Sequence, residues 1–354
     1  MKYINIISGK GGTGKTLLCA TLAELLGNQD ISVLIIDMDF FVRGLTSLLY
    51  FHKGEAIQLT KNDERSSFDF FINNLPNESQ TLGIYSYRSF HVTPSVSRID
   101  ETINLEGIAL NSNDFYSSGL NRIINSIPKN KYDYVFFDSR AGYDELISTT
   151  SKYSDFSICV QEEDNISEIT ANNLIKQLEN DSSSGPVFRL VNKVRNIRNY
   201  EDLENKERKG VSYIGALPFD MDVLNSFGES SFWEEISKSL YKQAVARTWN
   251  KVATKMQLDS TIYFKRYSPI ASEYIETRLS ILSMFNRVLV VLGALMGITG
   301  ITYAIIGKDL FYMINKDPER IISLGIGVFG IIITVIGLLD RKRKKRTPNN
   351  VYKK

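Results

Sequence analysis

Short, almost unbroken apolar runs recur from the start of the chain to Pro218. "KYINIIS" (Lys2–Ser8), "SVLIID" (Ser32–Asp37), "FHVTPS" (Phe90–Ser95), "YDYVFFDSRAG" (Tyr132–Gly142), "FSICVQ" (Phe156–Gln161), "VFRLVNKV" (Val187–Val194) and "SYIGALP" (Ser212–Pro218) each read as a strand. Between them the period changes to that of a helix. "KTLLCATLAELLG" places Leu18, Leu22, Leu25 and Leu26 on one face and stops at Gly27. "SGLNRIINSIP" and the stretch Ile169–Leu178 read the same way. Strands alternating with helices predict right-handed crossovers, hence an α/β fold with a mostly parallel, doubly wound sheet. In such a sheet ligands sit beyond the carboxyl ends of the strands. Tyr50–Phe90 is polar and irregular and reads as helix and loop. Phe232–Met256 carries one helical apolar stripe, expected to pack on the domain.

Two later runs have a different length scale. Val288–Gly307 holds 20 residues without a charge, and Ile321–Leu339 holds 19. At the helical rise each reaches about 30 Å, the thickness of a bilayer core. Charged flanks bound both, so they read as two membrane spans. Their glycines, including the Gly293-x3-Gly297 spacing, permit close helix packing within a hairpin or between copies. "RKRKKR" (Arg341–Arg346) follows the second span, whereas the loop Lys308–Arg320 balances three basic against three acidic residues. The positive-inside rule puts the tail in the cytoplasm, near anionic lipid headgroups, and an even number of spans keeps the N-terminal part there too. Met1 leads directly into a strand, so no signal peptide is expected. The expected organisation is a cytoplasmic domain at 1–257, a connector at 258–286, a transmembrane hairpin at 287–340 and a basic tail at 341–354 of a multi-pass cell-membrane protein.

Charge and cysteine usage narrow the function. From Arg287 onward there are 12 basic and 4 acidic residues, leaving 30 basic and 36 acidic in Met1–Asn286. A mildly acidic soluble part does not suit a nucleic-acid-coating surface. The basic stretch Lys193–Lys209 is interleaved with acids and reads as a solvated helix face. Cys19 and Cys159 are the only cysteines and His52 and His91 the only histidines, so no zinc, iron–sulfur or disulfide framework is visible.

The chemistry starts at "ISGKGGTGKT". Gly9-x4-Gly14-Lys15-Thr16, between a predicted strand and a predicted helix, fits a phosphate-binding loop. Glycines let backbone amides turn toward phosphate oxygens, and the helix N-terminus favours negative charge. Lys15 would neutralise β/γ-phosphate charge, and the Thr16 hydroxyl would reach Mg2+. Asp37 and Asp39 end one strand, Asp138 another, and Asn192 a third, so all meet the loop at one end of the sheet.

With these residues in place, "GKGGTGKT" resembles the deviant Walker A motif of the MinD/ParA family of P-loop ATPases, whose hallmark is a second lysine where Lys10 stands. "VLIIDMDFFVRGL" resembles the family's second carboxylate motif, and "YDYVFFDSRAG" its Walker B segment, with Arg140 where MinD-like proteins usually have proline. "LVNKV" and "GALPFD" match its later strands. The resemblance covers Met1 to about Leu240. It implies Mg2+-dependent ATP hydrolysis, slow and partner-stimulated, and an ATP-dependent homodimer that acts as a switch on a protein partner. It implies that Gly9, Lys10, Gly11, Gly12, Thr13, Gly14, Lys15 and Thr16 bind the phosphates, with Lys10 reaching the partner copy's ATP. It further implies that Asp39 positions the attacking water, that Thr16, Asp37 and Asp138 serve Mg2+ directly or through water, and that Asn192, Pro218, Phe219 and Asp220 face the base. Arg140 is open between a surface residue and a partner contact. Two other readings compete. In one the hairpin is a membrane effector gated by the ATPase, as in a defence system. In the other the chain is a bacterial tyrosine kinase, against which stand the late position of the spans and a tail with only Tyr352.

Overall fold

Strands that are apolar on both faces need cover on both sides, and the computed structural model supplies it. It describes residues 1–72, 81–103, 115–181, 184–195 and 212–262. In chain order these form β1 (Lys2–Ser8), α1 (Lys15–Gly27), β2 (Val33–Met38), α2 (Gly44–His52), β3 (Glu64–Arg65), a 3-10 turn (Phe68–Phe71), β4 (Thr81–Leu82), β5 (Tyr85–Tyr87), β6 (Phe90–Thr93), α3 (Phe115–Ser126), β7 (Tyr134–Ala141), α4 (Glu145–Lys152), β8 (Phe156–Glu162), α5 (Asn165–Glu179), β9 (Val187–Val194), β10 (Ser212–Pro218), α6 (Met221–Ser226), α7 (Phe232–Lys238) and α8 (Leu240–Met256).

The main sheet has the order β10-β9-β8-β1-β7-β2-β6-β5. Its pairings are parallel except β5 with β6, an antiparallel edge. Side chains alternate between two cores. Ile4, Ile6, Ile35, Phe136, Ile158 and Leu190 face α1 and α8, meeting Leu18, Leu22, Val245 and Trp249. Leu34, Ile36, Val135 and Phe137 face the opposite way, toward Phe70, Phe71, Leu120 and Ile123. Ile7 and Cys159 meet Ala171, Leu174 and Leu178 of α5. Burial on both faces is why these strands read as continuous apolar runs.

Two expectations change. The stripe Phe232–Met256 is two helices, because Ser239 is extended (φ −82°, ψ 146°) and caps α8 by accepting from the Tyr241 N–H. Beyond Gln257, which is left-handed at φ 53°, the chain folds back on α8. Trp249 Nε1 donates to the Ser260 carbonyl at 2.7 Å, and Ile262 is buried. The described part of Tyr50–Phe90 packs more closely than its polarity suggests. Phe68, Phe70 and Phe71 are buried, and Asp69 accepts from Ser66 N, Ser66 Oγ and Ser97 Oγ at 2.8 Å each. Neighbouring aromatics in a 3-10 turn show neither a helix nor a strand period.

The two long apolar runs, the loop between them, the basic tail and residues 196–209 lie outside the described residues. Among the described residues no helix is long and apolar enough to cross a membrane.

Candidate nucleotide-binding site

Because β1, β2, β7, β8, β9 and β10 run the same way, their carboxyl ends open on one side, around the loop that joins β1 to α1. A cleft of about 460 Å3 lies there. Its walls include Gly11, Gly12, Gly14, Lys15, Thr16, Asp39, Phe41, Arg140, Lys193, Leu224 and Phe227.

Two glycines of the loop are required by the fold. A Cβ on Gly9 would lie 2.3 Å from the Thr170 carbonyl carbon, so the loop touches the α5 backbone directly. Gly14 is left-handed at φ 92°, and a Cβ there would lie 2.3 Å from Asn192 Nδ2. Gly9→Ala should therefore cost about 1–3 kcal/mol, as overpacking against backbone does. Chemical denaturation checks this; an unchanged midpoint would mean that α5 yields.

The two lysines of the loop have different surroundings. Lys15 lines the cleft at 7% exposure, and its Nζ donates to Ser8 Oγ at 3.0 Å. Ser8 Oγ in turn donates to the Lys10 carbonyl at 2.8 Å. The Lys10 side chain does not line the cleft. Its Nζ is held 2.7 Å from Glu162 Oε2 and 2.9 Å from Asp164 Oδ2, with the side chain 30% exposed. The hydrogen bonds it donates to these two carboxylates raise its pKa. Burial pushes Glu162 up, but bonds from Lys10 and Lys193 outweigh it and leave the carboxyl below its ordinary range. Lys193 bridges back to the loop, donating to Glu162 Oε1 and to the Gly12 carbonyl at 2.6 Å each.

Three carboxylates converge from β2 and β7. The parallel register sets Asp37 beside Asp138. Asp37 is fully buried; its Oδ2 accepts from Thr46 N at 2.8 Å and Thr46 Oγ1 at 2.7 Å, and its Oδ1 from Asp39 N at 2.9 Å. Asp138 Oδ2 accepts from Thr16 Oγ1 at 2.6 Å, whereas Asp138 Oδ1 is buried with no hydrogen-bond partner. Burial, then the neighbouring Asp138 charge, raises the Asp37 pKa; burial raises that of Asp138, against the pull of Lys15. Asp39 lines the cleft, its Oδ1 accepting from Val42 N at 3.0 Å.

A buried, unpartnered carboxylate oxygen beside a threonine hydroxyl fits a divalent cation with its water shell. Among the described residues no group of three or more His, Cys, Asp or Glu could hold a metal alone. That suits Mg2+, which takes one or two protein ligands and otherwise phosphate and water oxygens.

The remaining expected residues are placed less simply. Asn192 is buried under the loop, its Nδ2 donating to the Thr13 carbonyl at 2.7 Å. Pro218 ends β10, and Phe219 N donates to the Val194 carbonyl at 3.0 Å. Asp220 caps α6 by accepting from Asp222 N at 3.1 Å and Val223 N at 3.2 Å, and its Oδ2 accepts from Ser239 Oγ at 2.5 Å. Leu224 and Phe227, absent from the sequence reading, supply apolar wall instead. Glu162 and Asp164 were also missed, since no local pattern marks them. Lys193, read with the solvated basic stretch, is instead a β9 residue tied to Glu162 and the Gly12 carbonyl.

The family model described as the CobQ/CobB/MinD/ParA nucleotide binding domain matches residues 4–231, most of the chain and every candidate residue above. This chain belongs to that family. As a member of it, the chain is an ATP-binding protein of MinD/ParA type. It is 26% identical over 235 residues to an uncharacterized ATP-binding protein of Methanocaldococcus jannaschii, covering 62% of this chain and 86% of that one. Solved structures share the family fold. A chain of the MinC:MinD cell division protein complex of Aquifex aeolicus is 22% identical, with TM-score 0.52, covering 75% of this chain and 99% of that one. The Pyrococcus horikoshii septum site-determining protein MinD, complexed with Mg-ADP, is 17% identical with TM-score 0.52, covering 72% and 97%.

Proposed function

We propose that this protein is a membrane-anchored Mg2+-dependent ATPase in which ATP joins two copies, and that the dimer is a switch acting on a protein partner. The placement of Lys10 carries the reading. It belongs to the phosphate loop yet stands outside the cleft that Lys15 enters, partly exposed and held by carboxylates that can release it. A cation so placed suits the phosphates of a facing copy, where it would stabilise charge developing in phosphoryl transfer. Bound Mg2+ would neutralise β- and γ-phosphate charge. Thr16 and Asp138, with Asp37 behind them, would hold it and its water. Asp39 would orient the attacking water, and Lys15 would hold the phosphates of its own chain. Apolar Leu224 and Phe227, with Phe219 nearby, would flank the base.

Membrane anchoring rests on the uncharged runs Val288–Gly307 and Ile321–Leu339. Two spans cannot leave the bilayer when a dimer separates, unlike an interfacial helix. The nucleotide cycle would then control association within the membrane plane. ATP-dependent crosslinking of the full chain in membranes tests this. Wild type should crosslink with Mg-ATP and much less with Mg-ADP, and Asp39→Ala should accumulate the crosslinked form. Lys10→Ala should not crosslink with either nucleotide; equal crosslinking of all three proteins would refute the switch.

A further inference from the structure

Arg140 is the departure from the Walker B pattern left open between a surface residue and a partner contact, and its surroundings bear on a third role. It sits on β7 two residues after Asp138, where the register with β1 shifts between Asp138 and Ala141. The backbone around it is tied to the phosphate loop. Ala141 is in register with Ser8, and Gly142 N donates to the Ser8 carbonyl at 2.9 Å. Ser8 is also the residue that holds Lys15. Arg140 is therefore fixed relative to the buried lysine, and it lines the same cleft as Lys15, Thr16 and Asp39.

The guanidinium is restrained and still available. Its Nε lies 2.8 Å from Asp144 Oδ2, and its carbon lies 5.6 Å from the centre of the Phe41 ring. The two terminal nitrogens make no hydrogen bond among the described residues, and the side chain is 37% exposed. Asp144 is a stable anchor, because its other oxygen caps α4 by accepting from Ile147 N at 2.8 Å. A partly exposed ion pair of this kind is weak, so it orients the arginine without trapping it. A planar fork of free N–H donors at the mouth of a phosphate cleft matches a terminal phosphoryl group, which offers paired oxygens.

We propose that Arg140 is a catalytic residue, an arginine supplied in cis that contacts the γ-phosphate of ATP and stabilises its charge during transfer. The proposal rests on the reading of the cleft as an ATP site. On this view each active site combines two cations of its own chain, Lys15 and Arg140, with Lys10 of the facing copy. Asp144 is a positioning residue: it presents the guanidinium and gives it up to the phosphate.

The test compares nucleotides that differ in the γ-phosphate, using the full chain in detergent or membranes. Arg140→Ala should bind Mg-ADP as wild type does, which also shows that the cleft is folded. Its affinity for Mg-AMPPNP should fall about ten-fold, the loss of a charge-assisted contact. Its kcat should fall about 100-fold or more, the scale of losing a charge-stabilising donor. Arg140→Lys should recover part of the AMPPNP affinity and less of the rate, because an ammonium restores charge without the fork. Unchanged AMPPNP affinity and turnover in Arg140→Ala would overturn the proposal and assign Arg140 to contacts outside the cleft. Equal losses for ADP and AMPPNP would overturn it too, since the residue would then act on the whole cleft. Failure of wild type to bind Mg-ADP would refute the underlying reading of an ATP site, a distinct result.

Discussion

Replacing Lys15 with alanine should remove nucleotide binding, with affinity for Mg-ADP and Mg-ATP each falling about 100-fold or more. The lysine is almost fully buried, tethered by Ser8 Oγ and open toward the cleft, so phosphate is the partner its charge lacks. It also lowers the pKa of Asp138, whose burial works the other way. Removing it leaves Asp138 and Asp37 with less opposing charge, which weakens a Mg2+ site as well as the phosphate contact. The sheet should survive, because the alanine variant buries no unpaired cation. Titration with a fluorescent nucleotide analogue checks the loss, and circular dichroism checks the fold. Retained affinity would mean that phosphates are held by another part of the molecule.

The second large effect should come from Lys10→Ala, and it should have a different profile. Mg-ADP should bind as tightly as in wild type, because the Lys10 amine is outside the cleft and bound to Glu162 and Asp164. Turnover should fall about 100-fold or more, the scale seen when a preorganised charge is withdrawn from a transition state. The cost of freeing Lys10 from its own chain is small by comparison. Its two ion pairs are partly exposed, and pairs of that type contribute about 0.2–1 kcal/mol each. A lysine inside its own cleft would instead lose ADP affinity and turnover together. Steady-state kinetics beside equilibrium binding separates the two profiles.

The sheet was readable in the amino-acid sequence because its strands are buried on both faces. Runs such as "VLIID" and "YVFFD" admit few other placements once helical segments lie between them. The phosphate loop was readable because its glycines, lysine and threonine must be adjacent in the chain. The carboxylates were readable for a related reason: each ends an apolar strand, and parallel strands bring their ends together. What escaped is contact made only across the sheet. Glu162 and Lys193 lie more than a hundred residues beyond Lys10, and only the adjacency of β8 to β1 and β9 brings them to it. The Asn192 bond that buttresses the loop from beneath, set by the approach of Gly14, also crosses the sheet. The break at Ser239 was hidden because the apolar spacing of α7 and α8 stays in phase through it. The buried Phe68–Phe71 turn was hidden because neighbouring aromatics have no period.

The claim that Lys10 completes the site of a facing copy is tested most directly by mixing two inactive subunits in one membrane. Lys10→Ala keeps its own Asp39 but cannot supply the lysine, and Asp39→Ala supplies the lysine but cannot position water. In a symmetric dimer the mixed pair contains one complete site. Equal mixing should therefore restore ATPase activity that neither subunit has alone, because each mixed pair has one working site of two; random pairing would give about one quarter of the wild-type level. If Lys10 serves its own chain, the mixture should be as inactive as its components, and the account would be contradicted.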